Sequence, residues 1–307
     1  MYHYVRTYKN DLPNFKFLDF EDFCKQLDFF EENYGFVSKN EFKKSLKTGT
    51  AVDGVILTFD DSAKCNYDFV FPELKRRGLW GIFYIPTYPY TNNKILSVHK
   101  VHYLLGKYDS NIILNKLNGI ISKDDIDQTR INEFNKVIYK RQENDDSTNQ
   151  VKKITNYFIK YINREKIIDK LFSSFEADEN IVLNNYYMSL NNIKKMSDNG
   201  MIIGSHTVTH PVMSNLNSDQ QELEIVKSFE FLEQNIGSQL FKTYCHPYGG
   251  FHNFNDITEN ILQQQKCLFS FNVEQRDILS KDLINRSQAL PRYDCNQFPY
   301  GKIRIYE

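Results

Sequence analysis

Acidic and imidazole side chains follow short apolar runs in this sequence, where they could bind a metal ion and activate water. Asp60 and Asp61 come directly after Val52–Phe59, and His206 and His210 follow a second apolar run. Two His residues separated by three positions can bring both imidazoles to one ion, and one carboxylate completes a two-His, one-carboxylate set. Such a set leaves coordination positions open for water, so these residues indicate a metal site.

The donor set alone does not name the metal. A hydrolytic Zn²⁺ site and the open facial triad of non-haem iron oxygenases both use two His residues and one carboxylate. The second Asp favours hydrolysis, because a base is needed beside the metal-bound water. Taken singly, the Asp pair could be a helix cap and the His residues ordinary core or surface side chains. Their occurrence together favours one site.

A third polar segment, His246-Pro247-Tyr248-Gly249, follows the apolar run Phe241–Cys245. Read alone it is turn chemistry, since Pro and Gly favour turns. In parallel α/β folds, however, catalytic residues gather at the carboxyl ends of strands. Three polar strand ends therefore predict a single site at one edge of a sheet.

The elements that must position these residues follow a strand–helix–strand pattern, which indicates a parallel βαβ arrangement. The predicted strands are 1–6, Val52–Phe59, Leu79–Pro86, Met201–Ser205, Phe241–Cys245 and Cys267–Phe271, with Ala289–Asp294 as a last strand or loop. The predicted helices between them are Asp19–Tyr34, 38–47, Asn66–Arg77, Ser189–Asn199, Asp219–Gln234 and Asn255–Gln265.

Residues 91–187 differ in texture: they are rich in Asn, Lys, Asp and Ile and read as a mainly helical insertion. Amphipathic patterns predict helices at Val98–Leu105, Ile131–Arg141, Val151–Lys160 and Glu165–Phe175. The alternative is a pair of regular αβ repeats with weak strands. The insertion could act as a lid, a dimer surface for a homo-oligomer or a docking site, and the sequence does not choose among them.

The composition excludes several classes of protein. Lys and Arg total 38 against 39 Asp and Glu, for a net charge of −1, which argues against nucleic-acid binding through phosphate contacts. The five Cys residues form no CxxC pair, so a zinc ribbon and a disulfide framework are both unexpected. We see no secretory signal and no apolar run long enough to span a membrane, so the cytoplasm is the expected compartment.

The three motifs together resemble the polysaccharide deacetylases of the NodB homology family. They are Thr58-Phe59-Asp60-Asp61, His206-Thr207-Val208-Thr209-His210 and His246-Pro247-Tyr248-Gly249. The resemblance covers roughly 1–90 and 188–295 and skips the insertion. It implies an α/β fold, a distorted (β/α)7-type barrel with a mainly helical insertion, in a single deacetylase domain of residues 1–307 with 91–187 inserted.

The resemblance also implies roles for individual residues. Asp60 would be the general base, and Asp61, His206 and His210 would bind a divalent metal. Zn²⁺ is the favoured ion, with Co²⁺, Mn²⁺, Fe²⁺ and Ni²⁺ as alternatives. A backbone N–H near Tyr248 would help to hold the oxyanion. We place His3 and Asp294 beside it as further residues of the substrate site.

The sequence departs from the family at several positions. Cys245 stands where many members carry an Arg that orients the base, and Arg292 or Arg6 could substitute for it. No His follows His252, so the late His that protonates the leaving amine in many members is absent, and His246 is our candidate for the acid. Ser62 stands where Gly is common.

We therefore predict a metal-dependent hydrolase that removes an N-acetyl group from an acetamido sugar. In the cytoplasm it would meet a saccharide or glycoconjugate precursor, such as a nucleotide-linked or lipid-linked sugar. One alternative is hydrolysis of another C–N amide, in a formamido sugar or a cyclic ureide. The other is a catalytically inactive saccharide-binding or scaffold domain.

Overall fold

The computed structural model describes residues 1–134, 144–176 and 178–304. The chain divides into two compact units. The first comprises Met1–Tyr8, Phe17–Asn92 and Asn184–Glu307, and the second comprises Lys9–Lys16 and Asn93–Leu183. The second unit thus contains most of the predicted insertion. It also contains Lys9–Lys16, which lies in the part of the chain that resembles the deacetylase family. That the chain is a single domain with 91–187 inserted stays a prediction.

A parallel sheet forms the centre of the first unit. The strands of the described residues are Val5–Arg6 (β1), Leu18–Asp19 (β2), Leu57–Phe59 (β3), Gly81–Ile85 (β4), Ile202–Ser205 (β5), Thr243–Cys245 (β6) and Phe269–Phe271 (β7). Strands β1 and β2 pair with each other, and β3 to β7 lie side by side in chain order, all parallel. Their carboxyl ends therefore share one edge, where the three polar motifs begin.

Backbone contacts continue the sheet at both sides. Tyr2 forms a bridge to β3, and Leu290 forms a bridge to β7. The amino group of Met1 in turn donates a hydrogen bond of 2.7 Å to the carbonyl oxygen of Tyr293. The first residues, the five strands and the segment after Leu290 thus form a ring of seven positions, which is a distorted barrel.

Helices make up most of the rest of the described chain. The α-helices are Phe20–Asn33 (α1), Lys39–Thr48 (α2), Phe71–Arg76 (α3), Tyr88–Asn92 (α4), Ser97–Lys107 (α5), Ser110–Ile120 (α6), Gln128–Phe134 (α7), Asp146–Lys153 (α8), Tyr161–Ser173 (α9), Glu179–Tyr186 (α10), Leu190–Asp198 (α11), Ser218–Asn235 (α12), Asp256–Gln264 (α13) and Ser280–Asn285 (α14). Helices α5 to α9 lie in the second unit, so the predicted helical texture of this region is observed.

Several predicted boundaries differ from the structure. Strand β3 is shorter than the predicted Val52–Phe59, because residues 52–54 are exposed and Val55 forms only a single bridge, to Phe36. The predicted helix Asn66–Arg77 begins as a π-helix at Asn66–Val70 before α3. The predicted helix Ile131–Arg141 overlaps the end of α7, and its residues 135–141 lie outside the described residues.

Local capping explains where two of the helices begin. Helix α2 starts with a capping box, in which the side chains of Ser38 and Glu41 each accept a hydrogen bond from the backbone N–H of the other residue. Helix α12 starts with a capping box formed by Asn217 and Gln220, so Ser218 is its first helical residue, one position before the predicted start at Asp219.

Aromatic side chains dominate the core of the first unit. Tyr2 stacks on Phe59 with ring centroids 5.2 Å apart, and Phe59 stacks on Phe83 at 4.7 Å. These three rings come from adjacent positions of the ring of strands, so the stack ties neighbouring strands together below the polar edge. Among the described residues, no helix is both long enough and apolar enough to cross a membrane.

Candidate metal centre and active site

One carboxylate and two imidazoles meet at the carboxyl edge of the sheet. Asp61 follows β3, and His206 and His210 follow β5. The Oδ1 atom of Asp61 lies 3.6 Å from Nε2 of His206 and 3.6 Å from Nε2 of His210. All three side chains are buried, and one ligand atom from each lies within 4.8 Å of the others. One carboxylate oxygen and two imidazole nitrogens around a point are typical donors for Zn²⁺, so these residues fit a divalent metal.

A backbone carbonyl fixes which nitrogen of His206 faces Asp61. The Nδ1 atom lies 2.8 Å from the carbonyl oxygen of Cys245, so the ring donates from Nδ1 and keeps a lone pair on Nε2. Burial lowers the pKa of His206, although the charges of Asp60 and Asp61 act in the opposite direction. The neutral imidazole is the form that binds a metal ion.

The loop that carries His210 is held by a buried carboxylate, Glu224 of α12. Its Oε2 atom accepts hydrogen bonds of 2.8 Å from the backbone N–H groups of Val208 and Thr209, and its Oε1 atom accepts one of 2.5 Å from the Thr209 hydroxyl. The hydroxyl of Thr207 then accepts a hydrogen bond of 2.9 Å from the N–H of His210. Glu224 therefore fixes Val208 and Thr209, two of the residues between His206 and His210.

Strained backbone is concentrated at this edge. Five residues other than Gly with positive φ lie in the three motifs or directly after the first of them: Asp61 (75°), Ser62 (52°), Thr207 (68°), His210 (55°) and Tyr248 (64°). A left-handed conformation costs a residue with a side chain on the order of 1 kcal/mol. Such strain persists only where the surrounding structure imposes it, and it clusters at functional sites.

Asp60 is held by an ion pair rather than by the metal ligands. Nη1 of Arg292 lies 3.0 Å from Oδ1 of Asp60, and Nη2 lies 2.8 Å from Oδ2. Both side chains are buried. Burial alone would raise the pKa of Asp60, but the Arg292 guanidinium beside it holds that pKa well below its usual range. Asp60 is therefore ionised and can accept a proton.

The same guanidinium accounts for the unusual residue at position 245. Nη2 of Arg292 lies 2.8 Å from Sγ of Cys245, so the thiol occupies the space beside the ion pair. Of the two substitutes predicted from the sequence, the structure brings Arg292 to Asp60. Arg6 instead lies over the ring of Phe17, with its guanidinium carbon 5.6 Å from the centroid.

Two other predicted residues border the cluster. Nε2 of His3 lies 4.0 Å from Oδ2 of Asp61, and the His3 side chain is 38% exposed. The ring of Tyr248 meets that of His210 edge to face, with centroids 4.8 Å apart. His3 and Tyr248 thus lie at the exposed margin of the buried donor set.

The structure places His246 and Asp294 differently. Nε2 of His246 lies 2.9 Å from the carbonyl oxygen of Gln288, and the ring stacks on Phe254 at 3.7 Å. Burial lowers the pKa of His246 to about 3, which fits a neutral interior imidazole better than a proton donor. Asp294 accepts a weak hydrogen bond, 3.5 Å, from the thiol of the next residue, Cys295. None of the contacts found for either side chain in the described residues joins it to Asp61.

We did not predict Glu224, or a second group near Asp61, from the sequence. This group is formed by Tyr4 and Tyr186, whose hydroxyls share a hydrogen bond. Burial raises the pKa of both phenols, and the negative charge of Asp61 raises it further. A polar residue on the buried face of α12 is a signal that could have pointed to Glu224. The Tyr pair joins residues 182 positions apart and leaves no local signal.

A comparison with known protein families agrees with two of the three motifs. A family model described as polysaccharide deacetylase matches residues 144–267, a segment that contains the His motif and the third motif. No curated protein sequence matches the chain. The family resemblance read from the motifs is thus confirmed.

Solved structures share the fold. A deacetylase, PplD, from Streptococcus pyogenes, in complex with acetate, matches with a TM-score of 0.56 and 16% identity, over 95% of this chain and 88% of that one. IcaB from Ammonifex degensii matches with a TM-score of 0.54 and 16% identity, over the same shares of each chain. The predicted fold class, a distorted (β/α) barrel with many helices, is confirmed.

Proposed function

We propose, from the confirmed resemblance to the polysaccharide deacetylases, that this chain is a metal-dependent hydrolase that removes the N-acetyl group of an acetamido sugar. The observation that carries the proposal is the division of labour between two adjacent carboxylates. Asp60 is ionised and paired with Arg292, whereas Asp61 faces His206 and His210. A hydrolase needs these two functions side by side: a base for water and a set of metal ligands.

Asp61, His206 and His210 would hold the divalent metal, for which we propose Zn²⁺ ahead of Co²⁺, Mn²⁺, Fe²⁺ and Ni²⁺. When bound, the ion would polarise the amide carbonyl and lower the pKa of its water. The residues themselves supply the geometry. The Nδ1 contact of His206 with Cys245 keeps Nε2 available as a donor, and Glu224 fixes the loop that carries His210.

Asp60 would take the proton of the attacking water. Arg292 keeps this carboxylate ionised and fixes its orientation through two hydrogen bonds. An oxygen of Asp60 lies within 4.8 Å of a ring nitrogen of His206, which supports its role beside the metal. The backbone N–H near Tyr248 would stabilise the negative oxygen that forms on the acyl carbon. The position of Tyr248 against His210 supports this placement.

Expulsion of the amine needs an acid, and His3 is better placed for it than His246. His3 is half-exposed at 4.0 Å from Asp61, where a leaving group could reach it. His246 is buried, and its Nε2 already bonds interior groups. We therefore transfer the acid role proposed for His246 to His3 and retain Asp294 only as a more distant substrate contact.

The substrate and compartment remain part of the proposal. All five Cys residues are free thiols, which agrees with a reducing compartment such as the cytoplasm and with a saccharide precursor as substrate. A homo-oligomer formed through 91–187 is a further expectation, which light scattering of the purified protein would test.

The proposal is tested by measuring acetate release. The purified protein, loaded with Zn²⁺ or Co²⁺, is incubated with acetamido monosaccharides, nucleotide-linked acetamido sugars and chitooligosaccharides. We expect acetate from at least one of them, and loss of release in Asp60→Asn with metal content unchanged. Formate release from formamido analogues alone would point to a different amide. Binding of saccharides without any release, unaffected by Asp60→Asn, would identify a non-catalytic domain.

A further inference from the structure

The residue after the metal-side carboxylate carries a side chain in a conformation that favours Gly. Ser62 has a φ of 52°, yet it is a Ser, so the chain accepts backbone strain at this position. Its side chain is 1% exposed, so the hydroxyl does not serve solvation. Gly would adopt this conformation without strain, so the Ser62 hydroxyl should make an interaction inside the protein that Gly could not.

Backbone hydrogen bonds hold the loop at Ser62 and Ala63, and the Ser62 hydroxyl takes no part in them. The carbonyl oxygen of Ser62 accepts a hydrogen bond of 3.0 Å from the N–H of Met188, and Ala63 forms an antiparallel bridge with Tyr187. The carbonyl oxygen of Ala63 accepts a further hydrogen bond of 2.9 Å from the N–H of Asn66. These backbone contacts anchor the loop that follows Asp61.

Three buried polar groups lie around this loop and lack hydrogen bonds within the described residues. They are the hydroxyls of Ser62 and Tyr90 and the amide of Asn66, which is 0% exposed. Burial raises the pKa of Tyr90, and a side-chain interaction with the Ser62 hydroxyl opposes the rise, so these two hydroxyls lie beside each other without completing a well-formed hydrogen bond. A buried polar group without a partner costs about 1–3 kcal/mol. A water that bridges two to four such groups removes this cost.

We propose that Ser62 is a positioning residue of the metal centre: its hydroxyl, with Tyr90 and Asn66, binds internal water that holds the left-handed turn on which Asp61 stands. This rests on the proposed metal site. Ser62 acts through Asp61 and touches neither metal nor substrate. Residues that hold a metal ligand in place commonly change metal affinity by about 10- to 100-fold when they are substituted. Loss of the Ser62 hydroxyl should therefore weaken metal binding measurably.

The test separates the hydroxyl from the backbone strain. Ser62→Ala removes only the hydroxyl, whereas Ser62→Gly removes it and also relieves the strain. Lys266→Gly is the matched control, since Lys266 is exposed and has a φ of 57° away from the site. Each protein is titrated with Co²⁺ by absorption spectroscopy, and its unfolding midpoint is measured in EDTA to establish that it folds.

We expect both Ser62 variants to bind Co²⁺ about 10-fold more weakly than the unmodified protein. We expect Lys266→Gly to bind it normally and to be more stable. Tyr90→Phe should weaken binding as well, and the double variant with Ser62→Ala should lose less than the product of the two single losses, since the groups share water. Co²⁺ affinities of both Ser62 variants equal to that of the unmodified protein would overturn the role of Ser62 alone. Failure of the unmodified protein to bind Co²⁺ would overturn the metal site and this inference together.

Discussion

Arg292 donates hydrogen bonds to both oxygens of Asp60, with Nη1 3.0 Å from Oδ1 and Nη2 2.8 Å from Oδ2. The two residues are 232 positions apart in the chain. The guanidinium arrives from the segment after Leu290, which bridges to β7, so the ring of strands itself brings the base and its partner together. A charged, two-point contact of this kind fixes both the ionisation and the orientation of the carboxylate.

Arg292→Lys should therefore impair turnover more than metal binding. Lys offers a single point charge where Arg offers a fork, so Asp60 would remain ionised but lose its fixed orientation. We expect kcat to fall by about 100-fold, the size of effect that a misplaced catalytic group produces. Co²⁺ affinity should stay close to that of the unmodified protein, since no metal ligand is touched.

Arg286→Lys is the matched control for this substitution. Arg286 pairs with Glu259 at the surface, and its side chain is 47% exposed. Its kcat should be unchanged. If Arg292→Lys and Arg286→Lys turned over acetamido sugars equally well, Arg292 would have no role in positioning Asp60.

How much the sequence predicted depends on how local each relationship is. Asp60 and Asp61 could be proposed as site residues because they directly follow an apolar run. His206 and His210 could be proposed because only three residues separate them. That Arg292 rather than Arg6 meets Asp60 was left open, since the choice depends on how the ring of strands closes.

Other differences have equally physical causes. Strand β3 covers only Leu57–Phe59, because pairing with β4 begins at Leu57, whereas the apolar pattern had suggested a start at Val52. His246 was our candidate for the acid because no His follows His252, but its ring packs on Phe254 in the interior. Sequence spacing locates a residue on an element, but it does not show which way the side chain turns.

Removal of one metal ligand should abolish tight binding without unfolding the protein. Asp61→Asn and His210→Gln each leave two of the three metal ligands. We expect the affinity for Co²⁺ to fall by more than about 100-fold, because loss of a residue that only supports a ligand already costs about 10- to 100-fold. Metal should also raise the unfolding midpoint of the unmodified protein, because it binds only the folded state, and this rise should vanish in both variants. His102→Gln, a change in the second unit, serves as control. Normal Co²⁺ binding by Asp61→Asn would contradict the assignment of Asp61.

Glu224 should act on the metal through the loop that carries His210. Glu224→Ala leaves two backbone N–H groups without their acceptor, so the loop should loosen and Co²⁺ affinity should fall by about 10- to 100-fold. Glu224→Gln keeps one acceptor oxygen and should lose less. Glu222→Ala, on the exposed side of the same helix, should bind metal normally. Equal affinities for the Ala variants at positions 224 and 222, measured by Co²⁺ titration, would argue against this role.

His246 should govern stability against acid rather than turnover. Its pKa is lowered to about 3 by burial, whereas an unfolded His titrates near 6.5. Above about pH 6.5 the residue is neutral in both states and stability does not depend on it. As the pH falls from about 6.5 toward 3, the unfolded state binds a proton and the folded state does not, so stability declines, by about 2 kcal/mol at about pH 5.

His246→Gln keeps a donor for the carbonyl of Gln288 but cannot titrate. The difference in unfolding free energy between about pH 7.5 and about pH 5, measured by urea denaturation in EDTA, should therefore shrink by about 2 kcal/mol in this variant. Its kcat near neutral pH should stay within about 10-fold of the unmodified value, far above that of Asp60→Asn. A folded His246→Gln protein with as little turnover as Asp60→Asn would instead return the role of general acid to His246 and remove it from His3.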